Sequence, residues 1–426
     1  MKWNNRIIGI LWCMCFVGIT HAQPVLLTRQ QYREKVQNYS FQLQQSYLDT
    51  DATRAAKSIA KKGRLPRIDI NADGTVNLRD LNSWGGSYPT YRTYTYGAIA
   101  TAVQPIYAGG SLNARQKIAE YDEMLSRLTE ELTLDQINYQ ADAVYWNVSF
   151  TRSILSASEE YLRIIEHQYE ITNDRFVDGM ISRTDLLMLA TRKQEAQLQF
   201  VKSRQNYALA LQQLNILCGN EPNENMDSVS YVGIACDAIE ILSLEDVLAR
   251  RSEYESARIG VERMRSVAKS ALSVYNPQFN AFVNAGWATA NPNMGAKLSL
   301  SSLFGLTLSV PVYRWGERKQ TRMQQDAYIA VQKLQENIVV DQIKLELAAA
   351  LTKLSETAEQ VDAAEQTMKL AEENLDLVTF SYNEGKSSMV DVLTAQVSWT
   401  QAKSNLMNAY LSNKMAVSEY RKVISE

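Results

Sequence analysis

Apolar and polar positions along this chain follow two rhythms, and each rhythm occurs twice. In the first, apolar residues return every three or four positions. Ile118, Tyr121, Leu125, Leu128 and Leu132 lead to Ile137, Ala141, Val144 and Val148; later Val331, Leu334 and Ile338 lead to Ile343, Leu347, Ala350 and Leu354, and then to Val361, Ala364, Met368, Ala371, Leu375, Val378 and Tyr382. This near-heptad spacing predicts long helices with apolar seams that pack as coiled coils. Each series skips five residues at one point, from 132 to 137 and from 338 to 343. In the second rhythm the alternation is single. Ile68, Ile70, Ala72, Gly74, Val76 and Leu78 interleave with Asp69, Asn71, Asp73, Thr75, Asn77 and Arg79, which predicts a strand over 68–79 with one apolar face. A second extended stretch runs from Thr93 to Tyr107. Phe279, Ala281, Val283, Ala285 and Trp287 give a third strand, and Leu298, Leu300, Phe304, Leu306, Leu308, Val310 and Val312 a fourth.

The two halves repeat each other 206 residues apart. Pro105, Tyr107, Gly110, Asp135, Gln136, Ile137, Gly179, Ser182, Asp185 and Leu187 recur as Pro311, Tyr313, Gly316, Asp341, Gln342, Ile343, Gly385, Ser388, Asp391 and Leu393. The 68 residues between Gly110 and Gly179 hold neither Gly nor Pro, and the same is true between Gly316 and Gly385. Each stretch predicts one continuous rod roughly 100 Å long. Gly-x-x-Ser-x-x-Asp closes each rod, the glycine suiting a left-handed helix end and the Ser and Asp a capping-box start for the next helix. Return helices are expected over 183–217 and 389 to about 424, and further helices over 25–62 and 244–272, each a single element. The shorter helices, stacked end to end, match the rods in length.

Composition narrows the class. Lys2 and Arg6, an apolar run from Ile7 to Ile19 and Thr20-His21-Ala22 have the layout of a secretory signal over 1–22. Its removal takes the formal charge from −3 to −5 through loss of Lys2 and Arg6, and no basic tract invites nucleic acid. The expected organisation is then a first structural repeat over 23–220, an equatorial linker over 221–243 and a second repeat over 244–426. No later apolar stretch reaches the roughly 18 residues of a membrane helix, so any crossing must use strands. The strands have about the ten residues a barrel strand needs, and Trp84, Tyr88, Tyr91, Trp287, Tyr313 and Trp315 gather at their ends. Four strands close no barrel alone, so that reading requires oligomerisation. Cys218 and Cys236 remain after the signal, as a disulfide or as two thiols.

The duplicated strand-strand-rod-hairpin-return unit, Gln104-Pro105-Ile106-Tyr107 and Val310-Pro311-Val312-Tyr313 before the rods, and the Phe-x-x-Gly and Tyr-x-x-Gly hairpins together resemble the TolC family of outer-membrane efflux channels. The resemblance covers essentially the whole mature chain. It implies a mainly α fold with a small β part: long antiparallel coiled-coil helices plus two β-hairpins. Each of three protomers would give four strands to a 12-strand outer-membrane barrel standing on a periplasmic α-helical tunnel. It further implies a homotrimer in outer-membrane lipid that passes small molecules passively. An inner-membrane pump would drive it through a periplasmic adaptor that meets tips at Gly179, Ser182, Asp185, Gly385, Ser388 and Asp391. Tyr382 and Asp391 would stand at the periplasmic entrance, while Thr394 occupies the place one turn later where relatives often carry a second acid. Protein secretion and metal export are alternative cargoes of such a duct, and a periplasmic coiled-coil scaffold is an alternative of another class.

Other chemistry has little material. Asp69-x-Asn71-x-Asp73-Gly74-x-x-Asn77-x-x-Asp80 has the ligand spacing of a calcium loop, as in a calcium-binding adhesin, but the strict alternation favours a strand with its acids facing water. His167 is the one histidine after the signal, so no zinc set or Ser-His-Asp arrangement can be assembled, and a helix-surface place is expected for it. Trp146, Phe150 and Tyr161 are expected to be packing residues. No enzyme, cofactor or metal is predicted.

Overall fold

The computed structural model describes residues 27–76, 94–224, 239–289 and 298–426. The expected signal over 1–22, the end of the first strand, the aromatics at 84–91, Cys236 and Asn291-Pro292-Asn293 lie outside them. The first repeat runs through helices α1 (Arg29–Tyr39) and α2 (Phe41–Lys62), strands β1 (Arg67–Val76) and β2 (Tyr94–Ala108), then helices α3 (Ser111–Val177) and α4 (Arg183–Leu217). The second runs through α5 (Leu244–Arg250), α6 (Ser252–Leu272), β3 (Gln278–Thr289), β4 (Leu298–Ser309), α7 (Glu317–Asn383) and α8 (Met389–Val423). The fold is mainly α with one small antiparallel sheet. Rods α3 and α7 have 67 residues each, and returns α4 and α8 have 35 each. The duplication is therefore carried into the rods and into the returns at equal lengths.

Two expected helices are each broken once. Over 25–62 the single helix expected is two, because Ser40 turns out of helical geometry (φ −53°, ψ 115°) and its hydroxyl accepts the Leu43 N–H, starting α2 anew. Serine competes well for this role because its side chain replaces the intrahelical acceptor. In 244–272 the break falls at Arg251, whose backbone is extended (ψ 117°). Its nearly buried guanidinium donates to the Val423 carbonyl at the end of α8 and to Glu346 on α7, and pairs with Glu253. The break exchanges one turn of helix for these long-range bonds.

Both breaks lie where short helices meet beside a rod. Tyr32 and Val36 of α1 and Leu214 of α4 pack with Ile137, Ala141, Tyr145 and Val148 of α3. Val247 of α5 and Tyr420 of α8 pack with Ile343, Leu347 and Ala350 of α7. The end-to-end stacking of short helices along the rods is thus realised, and Trp146, Phe150 and Tyr161 all pack into the apolar clusters as expected. Cys218, at the end of α4, is half-buried, and burial pushes its thiol up to about 11. Its pairing with Cys236 lies outside the described residues.

The sheet order is β1-β2-β3-β4, antiparallel throughout. Beneath it, α2 packs on α3, α3 on α6 and α6 on α7, so the helix order α2-α3-α6-α7 repeats the order of the strands each helix joins. Toward the far end the order becomes α4-α3-α8-α7. The protomer is a wall one layer thick, with β1, α2 and α4 along one margin and β4 and α7 along the other. The calcium-loop alternative is overturned, because residues 69–76 lie in β1, each paired with β2.

Candidate functional site

Register sorts the side chains of the sheet onto two faces. Ile68, Ile70 and Ala72 pair with Ala102, Ala100 and Ala98, which pair in turn with Val283, Ala285 and Trp287. Val283 and Trp287 then pair with Phe304 and Leu300. All these side chains share one face by the period-two rule. That face is bare: Ile70 is 76 % exposed, Leu300 67 % and Phe304 66 %. A contiguous apolar surface of this size has no stable place in water, whereas an outward apolar band is what a sheet in hydrocarbon requires. The opposite face carries Asp69, Asn71, Asp73, Thr101, Asn280 and Asn284, groups suited to a wet interior. No helix among the described residues is long and apolar enough to cross a membrane.

The rods end as their local sequence dictates. Gly179 (φ 73°) and Gly385 (φ 74°) are left-handed, and each completes the paired end-of-helix bonds: Gly179 N–H to Phe176 O and Met180 N–H to Arg175 O; Gly385 N–H to Tyr382 O and Lys386 N–H to Ser381 O. Ser182 then caps α4, accepting the Asp185 N–H while its hydroxyl donates to the Asp185 carboxylate. Ser388 caps α8 as a full capping box, its N–H returned to Asp391 Oδ2 at 2.9 Å. The same Oδ2 accepts the hydroxyls of Ser388 at 2.6 Å and Ser387 at 3.1 Å. The Ser388 hydroxyl, the Ser388 N–H and the Ser387 hydroxyl, in that order, hold the exposed Asp391 carboxyl below its ordinary value. A β-carbon at Gly385 would touch nothing within 4 Å. Gly385→Ala is therefore expected to cost only the left-handed backbone term, about 1–2 kcal/mol, visible as a small drop in thermal midpoint with the helical content retained. A loss several times larger would mean that the tip packs against something a methyl group displaces.

Close to the tips the two hairpins share one core. Tyr161, Leu162 and Ile165 of α3, Leu189 of α4 and Met389, Val392 and Leu393 of α8 form it, and Tyr382 packs half-buried against it. Beside it lies a crevice of about 280 Å³ lined by Ile171, Thr172, Arg175, Thr379, Tyr382 and Met389, among others. His167 lies exposed on the α3 surface at the edge of this crevice, as expected for a surface residue. Polar contacts also join the hairpins: Gln396 donates to Gln168, Lys403 to Glu160 and Ser418 to Asp142. Spacing along one helix gave no signal for these pairs, since their partners stand more than 200 positions away. No cluster able to hold a metal occurs among the described residues.

Comparison with known proteins agrees with this geometry. The family profile described as outer membrane efflux protein matches residues 33–220 and 243–423, which takes in nearly all of both repeats. Outer membrane protein TolC of Escherichia coli (strain K12) is 21 % identical, across 94 % of this chain and 83 % of that protein. Among solved structures, the CmeC outer membrane channel of Campylobacter jejuni superposes with a TM-score of 0.80 at 17 % identity, covering 93 % of this chain and 85 % of that one. The open state of the MtrE outer membrane channel of Neisseria gonorrhoeae gives a TM-score of 0.79 at 15 % identity, with 93 % and 88 % covered. A wall of matched strands and helices, bare and apolar where it would meet lipid, and a profile match across both repeats lead to one statement: the chain belongs to the outer membrane efflux protein family.

Proposed function

We propose that this chain is the passive exit duct of a tripartite efflux assembly: a homotrimer in the outer membrane whose helices enclose a periplasmic tunnel for small molecules. An inner-membrane pump supplies the work, and a periplasmic adaptor meets the tips at Gly179, Ser182, Asp185, Gly385, Ser388 and Asp391. The observation that carries this reading is the coincidence of strand order and helix order within a wall that has two open margins. Pairing β4 of one copy with β1 of the next removes both sheet edges and lays α7 beside the neighbour's α2 and, lower down, its α4. Apolar residues wait on both sides. Along α7 they are Val331, Leu334 and Ile338 above and Leu370, Leu377 and Phe380 below; on the other margin Phe41, Leu48 and Ile59 stand on α2, and Leu187, Leu198 and Leu209 on α4. Three copies make twelve strands, more than the eight whose interior side chains alone would fill. The bare apolar sheet speaks against a periplasmic scaffold.

Tyr382 and Asp391 are assigned to the entrance. Three Asp391 carboxylates in a ring would favour cations. Single-channel recording of the purified protein in planar bilayers tests this, with Asp391→Asn beside it to remove charge while keeping a cap acceptor. Cation-over-anion selectivity is expected in the parent and a clear reduction in the variant. Within one protomer the cap bonds hold this carboxyl below its ordinary value, so it is charged at neutral pH, and selectivity should fall only when acid protonates the ring. The capping contribution has the same sign: it is present above the unfolded value and lost as pH drops through the lower folded one. A monomeric preparation that never opens, or pores whose selectivity ignores residue 391, would sink the respective claim.

A further inference from the structure

One aromatic interrupts the polar face of the sheet. Register places Arg67, Val103, Phe282 and Gly305 in a single row across the four strands, on the face opposite Ile70 and Phe304. Phe282 is half-buried, and its ring lies on Gly305: a β-carbon there would collide with Cζ and Cε1. The ring thus fills the space that any other residue at 305 would need for its side chain. Glycine lets it lie along the wall instead of standing out from it. Leu303, 54 % exposed, follows two residues back on β4 and extends the same patch, and Val103 continues it on β2.

Aromatic cover of a strand glycine accounts for the ring alone, and the exposed Leu303 with Val103 beside it widens that cover into an apolar patch. An apolar patch left facing water, among Asp69, Asn280 and Asn284, is a surface that gains by being covered. We propose that Phe282, laid on Gly305 and flanked by Val103 and Leu303, is a solute-contact patch of the barrel lumen, taking the aromatic or apolar portion of a molecule in transit. The inference rests on the duct reading, since the polar face is a lumen only in the closed barrel, where each copy brings its own patch. Contact of this kind is weak and short-lived, which suits a path that solutes must leave as readily as they enter.

The test uses the full chain in lipid nanodiscs, with trimer content first measured by native mass spectrometry. Monomers at that stage would overturn the duct reading itself. On trimers, saturation-transfer NMR compares benzyltrimethylammonium with tetramethylammonium, which has the same charge and no ring, against empty nanodiscs. Phe282→Ser is expected to weaken the ring-bearing probe about three- to tenfold and to leave the ringless one unchanged. Phe282→Leu keeps Gly305 covered but has no ring; it should also weaken the ring-bearing probe relative to the parent, and it carries the test if the serine variant fails to assemble. Gly305→Ala lifts the ring off the wall and is expected to alter binding of the aromatic probe only while Phe282 is present. Equal binding of benzyltrimethylammonium by the parent and by both Phe282 variants, all trimeric, would overturn the proposal.

Discussion

Arg33→Ala is expected to destabilise the protomer by about 3 kcal/mol, a loss on the scale of a large core truncation, although it removes no apolar core residue. Its partner, Asp142 on α3, has no solvent-exposed surface. Arg33 holds both carboxylate oxygens, from Nε to Oδ1 at 2.7 Å and from Nη2 to Oδ2 at 2.6 Å. Arg29 stands 3.5 Å away, and Ser418 on α8 donates its hydroxyl at 2.9 Å. One buried charge thus joins α1, α3 and α8, and with them both repeats. Loss of the bidentate partner leaves that charge desolvated and under-compensated, which typically costs about 3–5 kcal/mol. Arg29 and Ser418 remain, and Arg33 itself is 19 % exposed, so the lower end of this range applies. The double replacement Arg33→Met with Asp142→Leu should recover most of the loss, because the desolvation cost leaves with the carboxylate. Thermal midpoints of the helical circular dichroism signal would decide it. An Arg33→Ala midpoint equal to that of the parent would show that the charge is solvated in some other way.

What could be read in advance follows from how local each determinant is. The tips were legible because Gly385, Ser388 and Asp391 stand within seven positions and carry the whole of their geometry: a left-handed residue, a cap and a returned carboxylate. The rods were legible from the absence of breakers, and the strands from alternation. The breaks at Ser40 and Arg251 were not, since neither is a Gly or Pro and Arg251 turns inward to reach Val423, 172 positions away. Asp142 looked like one polar residue in a helix, and only the fold brings Arg33 to it from 109 positions away. Phe282 and Gly305 were invisible for the same reason, as each is ordinary until register lays one on the other.

The five-residue skip carried more information than periodicity alone revealed. Five residues at about 100° each advance a helix by about 140° beyond a full turn, so an apolar stripe that skips five positions moves to another face. In α7 that happens between Ile338 and Ile343. Before it, Val331 and Leu334 are exposed; after it, Ile343, Leu347 and Ala350 are buried within the protomer. One helix thus carries two apolar stripes in succession, the first left bare by the protomer and the second buried within its own chain. The heptad reading found both stripes and could not tell them apart, because what differs is the direction each faces.

That division predicts the second large effect: Val331→Glu with Leu334→Glu should abolish the trimer and leave the protomer folded. These side chains are 62 % and 61 % exposed in the single chain, so glutamate there costs the isolated protomer little. In the closed ring they would lie against the neighbour's α2, near Phe41, Leu48 and Ile59. Each lost apolar burial is worth about 1.5–3 kcal/mol per interface, and two carboxylates without partners add their desolvation. The ring repeats the interface three times, so the loss is multiplied in the assembled state and absent in the free one. Size-exclusion chromatography with light scattering in detergent should give monomers at unchanged helical content, and bilayers should stay silent. Ile343→Glu is the control on the other side of the skip: it strikes the protomer's own core and should lower helical content as well. A stable trimer from the double glutamate variant would mean that α7 faces the lumen or the periplasm along this stretch, and the margin-to-margin closure would have to be redrawn.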